Sequence, residues 1–195
     1  MSSAAPCFTV PMAGRGRCCE RSHAPFTPEH LKRLARIAHA DREGLFERNP
    51  HLAVYRDRLL LVALCQGGAL HYADCGNGTK RTNGVKDLDV YSFYAEDPDT
   101  PWPYRRQGIA DFGESEFGYH PDERQDFVGR RVDLMGRALP VEPDSDPVLA
   151  VRDWLAKSHN KTPGFLREKA VVGLYPARYR GKVIWLFRNQ SASIR

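Results

Sequence analysis

Two aspartates separated by one leucine stand in the run Val85-Lys86-Asp87-Leu88-Asp89-Val90-Tyr91-Ser92-Phe93. The run alternates and is rich in β-formers, so a strand is expected from Val85 to Tyr94. Residues two apart on a strand share a face, which sets Asp87 and Asp89 side by side and turns Leu88 and Val90 to the core. Two adjacent carboxylates repel unless positive charge lies between them. Hard divalent cations take oxygen ligands and are held by one or two carboxylates together with substrate phosphates. A strand-borne Asp-x-Asp therefore suits Mg²⁺ or Mn²⁺; the alternative is an exposed strand edge bearing two solvated acids. A third carboxylate, Asp133, sits between apolar neighbours in Arg131-Val132-Asp133-Leu134-Met135. Within a buried strand it needs a partner. A metal shared with Asp87 and Asp89 would provide one, and so would an ion pair with Arg130, Arg131 or Arg137.

Gly67-Gly68 follows the apolar run Leu59 to Cys65 and precedes the aspartate pair. Glycine lets backbone N–H groups approach a phosphate, and a helix N-terminus adds favourable partial charge. Glycines also serve ordinary turns, so the pair gains meaning from its order: strand, Gly-Gly, helix, Asp-x-Asp strand. Lys86, Lys80 and Arg81 are candidate phosphate neighbours or ordinary surface cations. His71, just past the glycines, reads as a helix-surface residue. Trp154, Trp185, Tyr175 and Tyr179 read as core. No Ser/His/Asp signature, phosphate-binding P-loop or dinucleotide fingerprint is present.

The elements that must hold these residues are legible from periodicity. Residues 1–26, with Pro, Gly, Ser and Arg and no repeat, read as a disordered tail. Thr27-Pro28 opens a helix carrying Leu31, Leu34, Ile37 and Ala38 on one face and Lys32, Arg33 and Arg36 on the other. That helix is expected to reach about Arg42, with a second piece over 45–55 broken near Asn49-Pro50. Next come a strand over 58–65, a short helix over 69–75, a loop over 76–84 and the aspartate strand. Residues 110–113 suggest a sheet edge and 131–135 a strand. Helices follow over 147–158, capped by Asp146, and over 162–169. The apolar segments 170–175 and 183–187 fit strands or helix ends alike. The fold class is α+β: a small mixed sheet flanked by helices, in one domain from 27 to 195, with a core at about 58–139 and a helical, basic C-terminal part from 146.

Composition agrees with a soluble, cytoplasmic globular chain: 195 residues, 42% hydrophobic, 27% charged. No apolar run approaches the ~20 residues that cross a bilayer. The Arg-rich N-terminus lacks the apolar core of a secretory signal; it fits an untargeted extension, with a transit peptide as the alternative. Five cysteines form no disulfide framework, and Cys7, Cys18, Cys19 and His23 match no zinc spacing. From Arg152 onward there are ten Lys/Arg against Asp153 and Glu168, whereas residues 51–150 are acidic. An acidic centre beside a basic flank suits metal plus polyphosphate; a solvated basic surface is the plainer reading.

In these features the chain resembles the polymerase-β-type nucleotidyltransferase superfamily. The matching pieces are Leu64-Cys65-Gln66-Gly67-Gly68, Lys86-Asp87-Leu88-Asp89-Val90 and Val132-Asp133-Leu134. The resemblance covers about 58–139 and departs from the family's pattern in a long segment between Gly68 and Asp87, assigned to an insertion over 76–84. It implies a metal-dependent transfer of a nucleoside monophosphate from an NTP to an acceptor, RNA and protein included. Asp87 and Asp89 would hold the metal of the triphosphate, Asp133 would complete a second metal site, and Gly67, Gly68 and Lys86 would meet phosphate. The alternatives are a non-catalytic, antitoxin-like protein of that fold, which binds nucleotide, RNA or a protein partner, and a basic nucleic-acid binder whose acidic strand is structural.

Overall fold

The structure is a computed structural model, and it describes residues 21–76, 78, 84–103, 107–120 and 124–187. The reading of 1–20 as a tail, the cysteines at 7, 18 and 19, and the loop residues Lys80 and Arg81 lie outside the described residues. Residues 21–26 belong to the fold. Ser22 bridges to Val85, and Ala24 and Phe26 pack on the core.

Helix α1 runs from Pro28 to Arg48, a turn and a half beyond the expected end. Its start is the one the sequence specifies. Thr27 accepts from the His30 amide at 3.2 Å, and His30 Nδ1 accepts from the Thr27 amide, closing a capping box. With Nδ1 as acceptor, His30 Nε2 carries the proton and donates to Glu116 at 3.0 Å. The break at Asn49-Pro50 is present, and a 3-10 helix follows over Pro50–Arg56. Strand β1 is Leu59–Cys65, helix α2 Gln66–Gly76, strand β2 Leu88–Ala95 and strand β3 Gln107–Asp111. Strand β4 is Arg131–Leu139, helix α3 Pro147–Lys157, helix α4 Lys161–Arg167, strand β5 Ala170–Tyr175 and strand β6 Val183–Leu186.

The six strands form one mixed sheet in the order β3-β4-β2-β1-β5-β6. β2 and β4 are parallel, and the other neighbouring pairs are antiparallel. The α+β class with helices around a mixed sheet is thus observed. The C-terminal part differs from a helical extension, because it adds two strands as well as two helices. β5 pairs directly with β1, so the core does not end near residue 139. Both segments are short and apolar, a pattern that fits a buried strand and a helix end equally. Partners across the sheet decide between them.

Helices cover both faces. Val62, Leu64, Leu88, Val90, Val132 and Leu134 pack with Leu31, Leu34 and Ala38 of α1 and Ala69 of α2. Ala63, Cys65, Tyr91, Phe93 and Val171 pack with Val148, Val151 and Leu155 of α3 and Leu166 of α4. The alternation, broken at the β1 bulge where Leu60 and Leu61 face the same cluster, is the period-two rule applied to a sheet buried on both sides. Among the described residues no helix is long and apolar enough to cross a membrane.

Two local features carry stability predictions. Asp146 caps α3, its Oδ1 accepting from Val148 N at 2.9 Å and Leu149 N at 2.8 Å. Asp146→Ala should lower unfolding free energy by about 1 kcal/mol in a urea titration. Gly173, within β5, faces the backbone carbonyl of Tyr179 so closely that a Cβ has no room. Its own N–H donates to Lys182 O at 2.9 Å, and its carbonyl accepts from Gly181 N. Backbone cannot rotate aside as a side-chain end can. Gly173→Ala should therefore lose roughly 1–3 kcal/mol, read as a fall in the urea midpoint.

Candidate active site

Register brings the notable residues to one end of the sheet. Asp89 on β2 lies beside Asp133 on β4 and, on its other side, beside Cys65 on β1. The row continues to Ile109 on β3 and Val171 on β5. Asp87 lies one residue ahead of β2. Asp87 and Asp133 are both near enough to Asp89 to disfavour its charge. Asp89 and Asp133 are thus direct neighbours in the sheet, with Asp87 two residues ahead of Asp89 in the chain.

The glycine turn meets the same end. Cys65 is the last residue of β1 and pairs with Asp89, so Gln66 and Gly67 begin α2 one and two residues beyond that position. Gln66 has φ 55°, in the left-handed region that side chains with a Cβ rarely adopt. Such a residue at a strand-to-helix junction persists only where its surroundings hold it. Gly67 has open space where its Cβ would be, whereas a Cβ at Gly68 would press on Leu64. Gly67 thus leaves the backbone of the first helical turn accessible, and Gly68 lets α2 close on β1. The long segment between Gly68 and Asp87 does not carry the turn away from the carboxylates.

Burial, then the Asp87 and Asp133 carboxylates, push Asp89 from its ordinary 3.8 up to about 7. Lys169 and Arg131 oppose that rise. Burial also drives the Cys65 thiol well above its usual range, with the Asp89 charge adding to it, so Cys65 is a neutral neighbour. Asp133 is 8% exposed and already has polar partners. Arg131 Nη2 and Nε reach its Oδ1 at 2.6 and 2.8 Å, and Gln107 Nε2 donates to the same oxygen at 3.0 Å. The ion pair with Arg131, one of the partners open to Asp133 from sequence, is formed. Both partners end on Oδ1, leaving Oδ2 without either. Lys86 is half-buried, and its carbonyl accepts from Arg130 Nη1 at 3.4 Å.

Among the described residues no three His, Cys, Asp or Glu side chains form a ready metal cage. The donor set nonetheless fits a hard cation carried in with phosphate. Asp87 and Asp89 are oxygen donors, and Asp89 resists ionisation because it is buried and stands beside the Asp87 and Asp133 carboxylates. Mg²⁺ commonly takes one or two protein carboxylates and fills its remaining positions with waters and phosphate.

Periodicity did not single out Lys169 and Gln107. Lys169 stood only as one cation of a basic flank. Its charge is felt at Asp89 because β5 pairs with β1, and it lies two residues before Val171 of the site row. Gln107 belongs to β3, which begins three residues before the edge expected at Ala110. His71 departs from its surface reading: it is 1% exposed, and Nε2 donates to Ala24 O at 2.9 Å, tying the N-terminal segment to α2. A histidine in an otherwise ordinary helix carries no sequence signal for such a partner. Trp154 packs edge-on against Phe93, and Trp185 Nε1 donates to Arg167 O at 2.9 Å. Tyr179 packs against the same core cluster. Tyr175, by contrast, is 46% exposed. Comparison of the chain with protein-family models, with curated proteins and with solved structures returns no match.

Proposed function

We propose that the chain is a metal-dependent nucleotidyltransferase, with a nucleotidyltransferase-like arrangement of β1, α2, β2 and β4. The observation that carries this reading is the register Cys65–Asp89–Asp133. It sets the aspartate pair, the third aspartate and the start of the glycine turn at one end of three adjacent strands.

Asp87 and Asp89 would hold Mg²⁺ or Mn²⁺, which, when bound, offsets the negative charge of an NTP and of the departing pyrophosphate. The open first turn of α2 at Gly67 and Gly68 supplies backbone N–H donors for phosphate oxygens. Lys169 and Lys86 add positive charge on the approach. In the reaction, an acceptor hydroxyl oxygen bonds to the α-phosphorus and the bond to the β-phosphate bridge breaks. The nucleoside monophosphate stays on the acceptor and pyrophosphate leaves. The hydroxyl proton passes to Asp133, whose Oδ2 is not held by Arg131 or Gln107. Cys65 and the apolar face behind it keep that side of the site dry, which strengthens each charge interaction.

The test is thermal unfolding with each of the four common NTPs, with and without Mg²⁺ or Mn²⁺. A ligand that binds only the folded state raises the midpoint. A rise that needs both NTP and metal supports the reading, and no rise with any pair sinks it.

The Arg131–Asp133 ion pair favours a second reading, a non-catalytic protein of the same fold that binds nucleotide, RNA or a protein partner. There Asp133 would be structural. An NTP-dependent rise unaltered by Asp133→Asn, with no release of pyrophosphate, would select it.

A further inference from the structure

A cavity lies on the face of the sheet opposite to the aspartates, at its other end. It has a volume of about 690 Å³ and is bounded by α1 and the Leu59, Tyr94 and Tyr175 ends of β1, β2 and β5. That volume falls in the range of small-molecule sites. Lys32, Arg36, His39 and Arg42 descend one stripe of α1 at helical spacing and line it, joined by Arg56 and Arg180. Only two carboxylates share the lining, and both have partners. Glu29 pairs with Lys32 at 2.7 Å and Glu43 with Arg56 at 3.0 Å. Arg36, Arg42 and Arg180 have no carboxylate within ion-pair distance among the described residues.

Arg42 is the decisive residue. It is 6% exposed, yet its guanidinium has one hydrogen bond, a long one of 3.5 Å from Nη1 to Ser92 Oγ. A buried charge without a partner is expensive. Burial accordingly pulls the Arg42 pKa down, against the pull of nearby Tyr94 and Glu43. Arg42 is among the residues that line the cavity. Arg180 spends Nε on Leu174 O at 3.2 Å, which leaves its other nitrogens for the same space. Guanidinium forks match tetrahedral oxyanions with two bonds at once. Phe46, Tyr94 and Tyr175 give the rest of the lining an apolar, aromatic wall.

We infer that this cavity binds a small organic phosphate, its oxygens taken by Arg36, Arg42 and Arg180 and its planar body laid against Tyr175. The site is separate from the aspartates and needs no metal. It therefore works as an effector or second-ligand site and does not rest on the nucleotidyltransferase reading.

Titration calorimetry in EDTA, with inorganic pyrophosphate and with adenosine monophosphate as probes, tests the assignment. Wild-type protein should bind at least the monophosphate saturably. Arg36→Ala/Arg180→Ala changes two side chains outside the core and should weaken binding at least about tenfold. Arg42→Met, which retains the buried stem, should abolish it. Asp87→Asn/Asp89→Asn and the charge control Lys157→Ala/Lys161→Ala should bind as wild type does. The inference is overturned by the absence of saturable binding to wild type, by citrate binding as tightly as the phosphates, or by the lysine control losing as much affinity as the arginine pair. Loss in the aspartate variant would instead place the phosphate at the other site, and would overturn this one.

Discussion

Asp87→Ala/Asp89→Ala is expected to abolish the metal-dependent response to NTP while leaving the unliganded protein at least as stable as wild type. At a free concentration a hundred times the dissociation constant, a ligand adds about 2.7 kcal/mol to the folded state. For a chain of this size that raises the melting midpoint by roughly 5–10 °C. The double variant removes the oxygen donors that would hold the cation, so the metal-dependent part of the rise should vanish. It also removes two neighbouring negative charges, one of them on a half-buried strand position beside Asp133. Relief of that repulsion predicts an unchanged or higher midpoint without ligand. A variant that keeps the full metal-dependent rise would show that the NTP site lies elsewhere. A variant that is far less stable would show instead that the aspartates are structural.

Without metal, wild-type stability should decline as pH rises between 3.8 and about 7, and Asp89→Asn should remove that decline. Asp89 is raised from 3.8 in the unfolded chain to about 7 in the fold, by burial first and then by Asp87 and Asp133. Between those values the folded chain holds a proton that the unfolded chain has released. The sign follows: stability is fully present below 3.8 and is lost as pH climbs through 7. The loss integrates to as much as about 4 kcal/mol. Above pH 7 the asparagine variant should therefore exceed wild type by up to that amount in urea denaturation. Mg²⁺ with NTP should narrow the difference by stabilising the ionised carboxylate of wild type alone. Parallel stability profiles for the two proteins would show that Asp89 meets no such environment.

Short-range signals in the sequence were sufficient for most elements. Thr27-Pro28 and Asp146-Pro147 start helices because caps act within three residues. Leu59 to Cys65 and the alternating run into Ala95 form strands because side-chain period and β-branching are local. Asp89 was legible for the same reason, but the strand expected from Val85 begins only at Leu88, so Asp87 precedes it and the one-strand geometry does not fix the pair. Whether Asp133 joins Asp89 was not legible, because strand neighbours are set by pairings across more than forty residues. The parallel β2–β4 register places Asp133 beside Asp89, where a shift of one residue would have turned it to the other face. Tertiary structure also decided that Arg131 and Gln107 hold Asp133, that Lys169, just ahead of a strand the sequence left ambiguous, stands near Asp89, and that His71 is buried. It likewise set Arg42 at the edge of a basic cavity, although the helical stripe leading to it was readable from Lys32 and Arg36. The sequence by itself determined most of the helices and strands, though not β5 and β6, and which residue types carry charge, since those depend on near neighbours. The chemical surroundings of each charge, and so its partners and its pKa, were decided only when distant segments packed together.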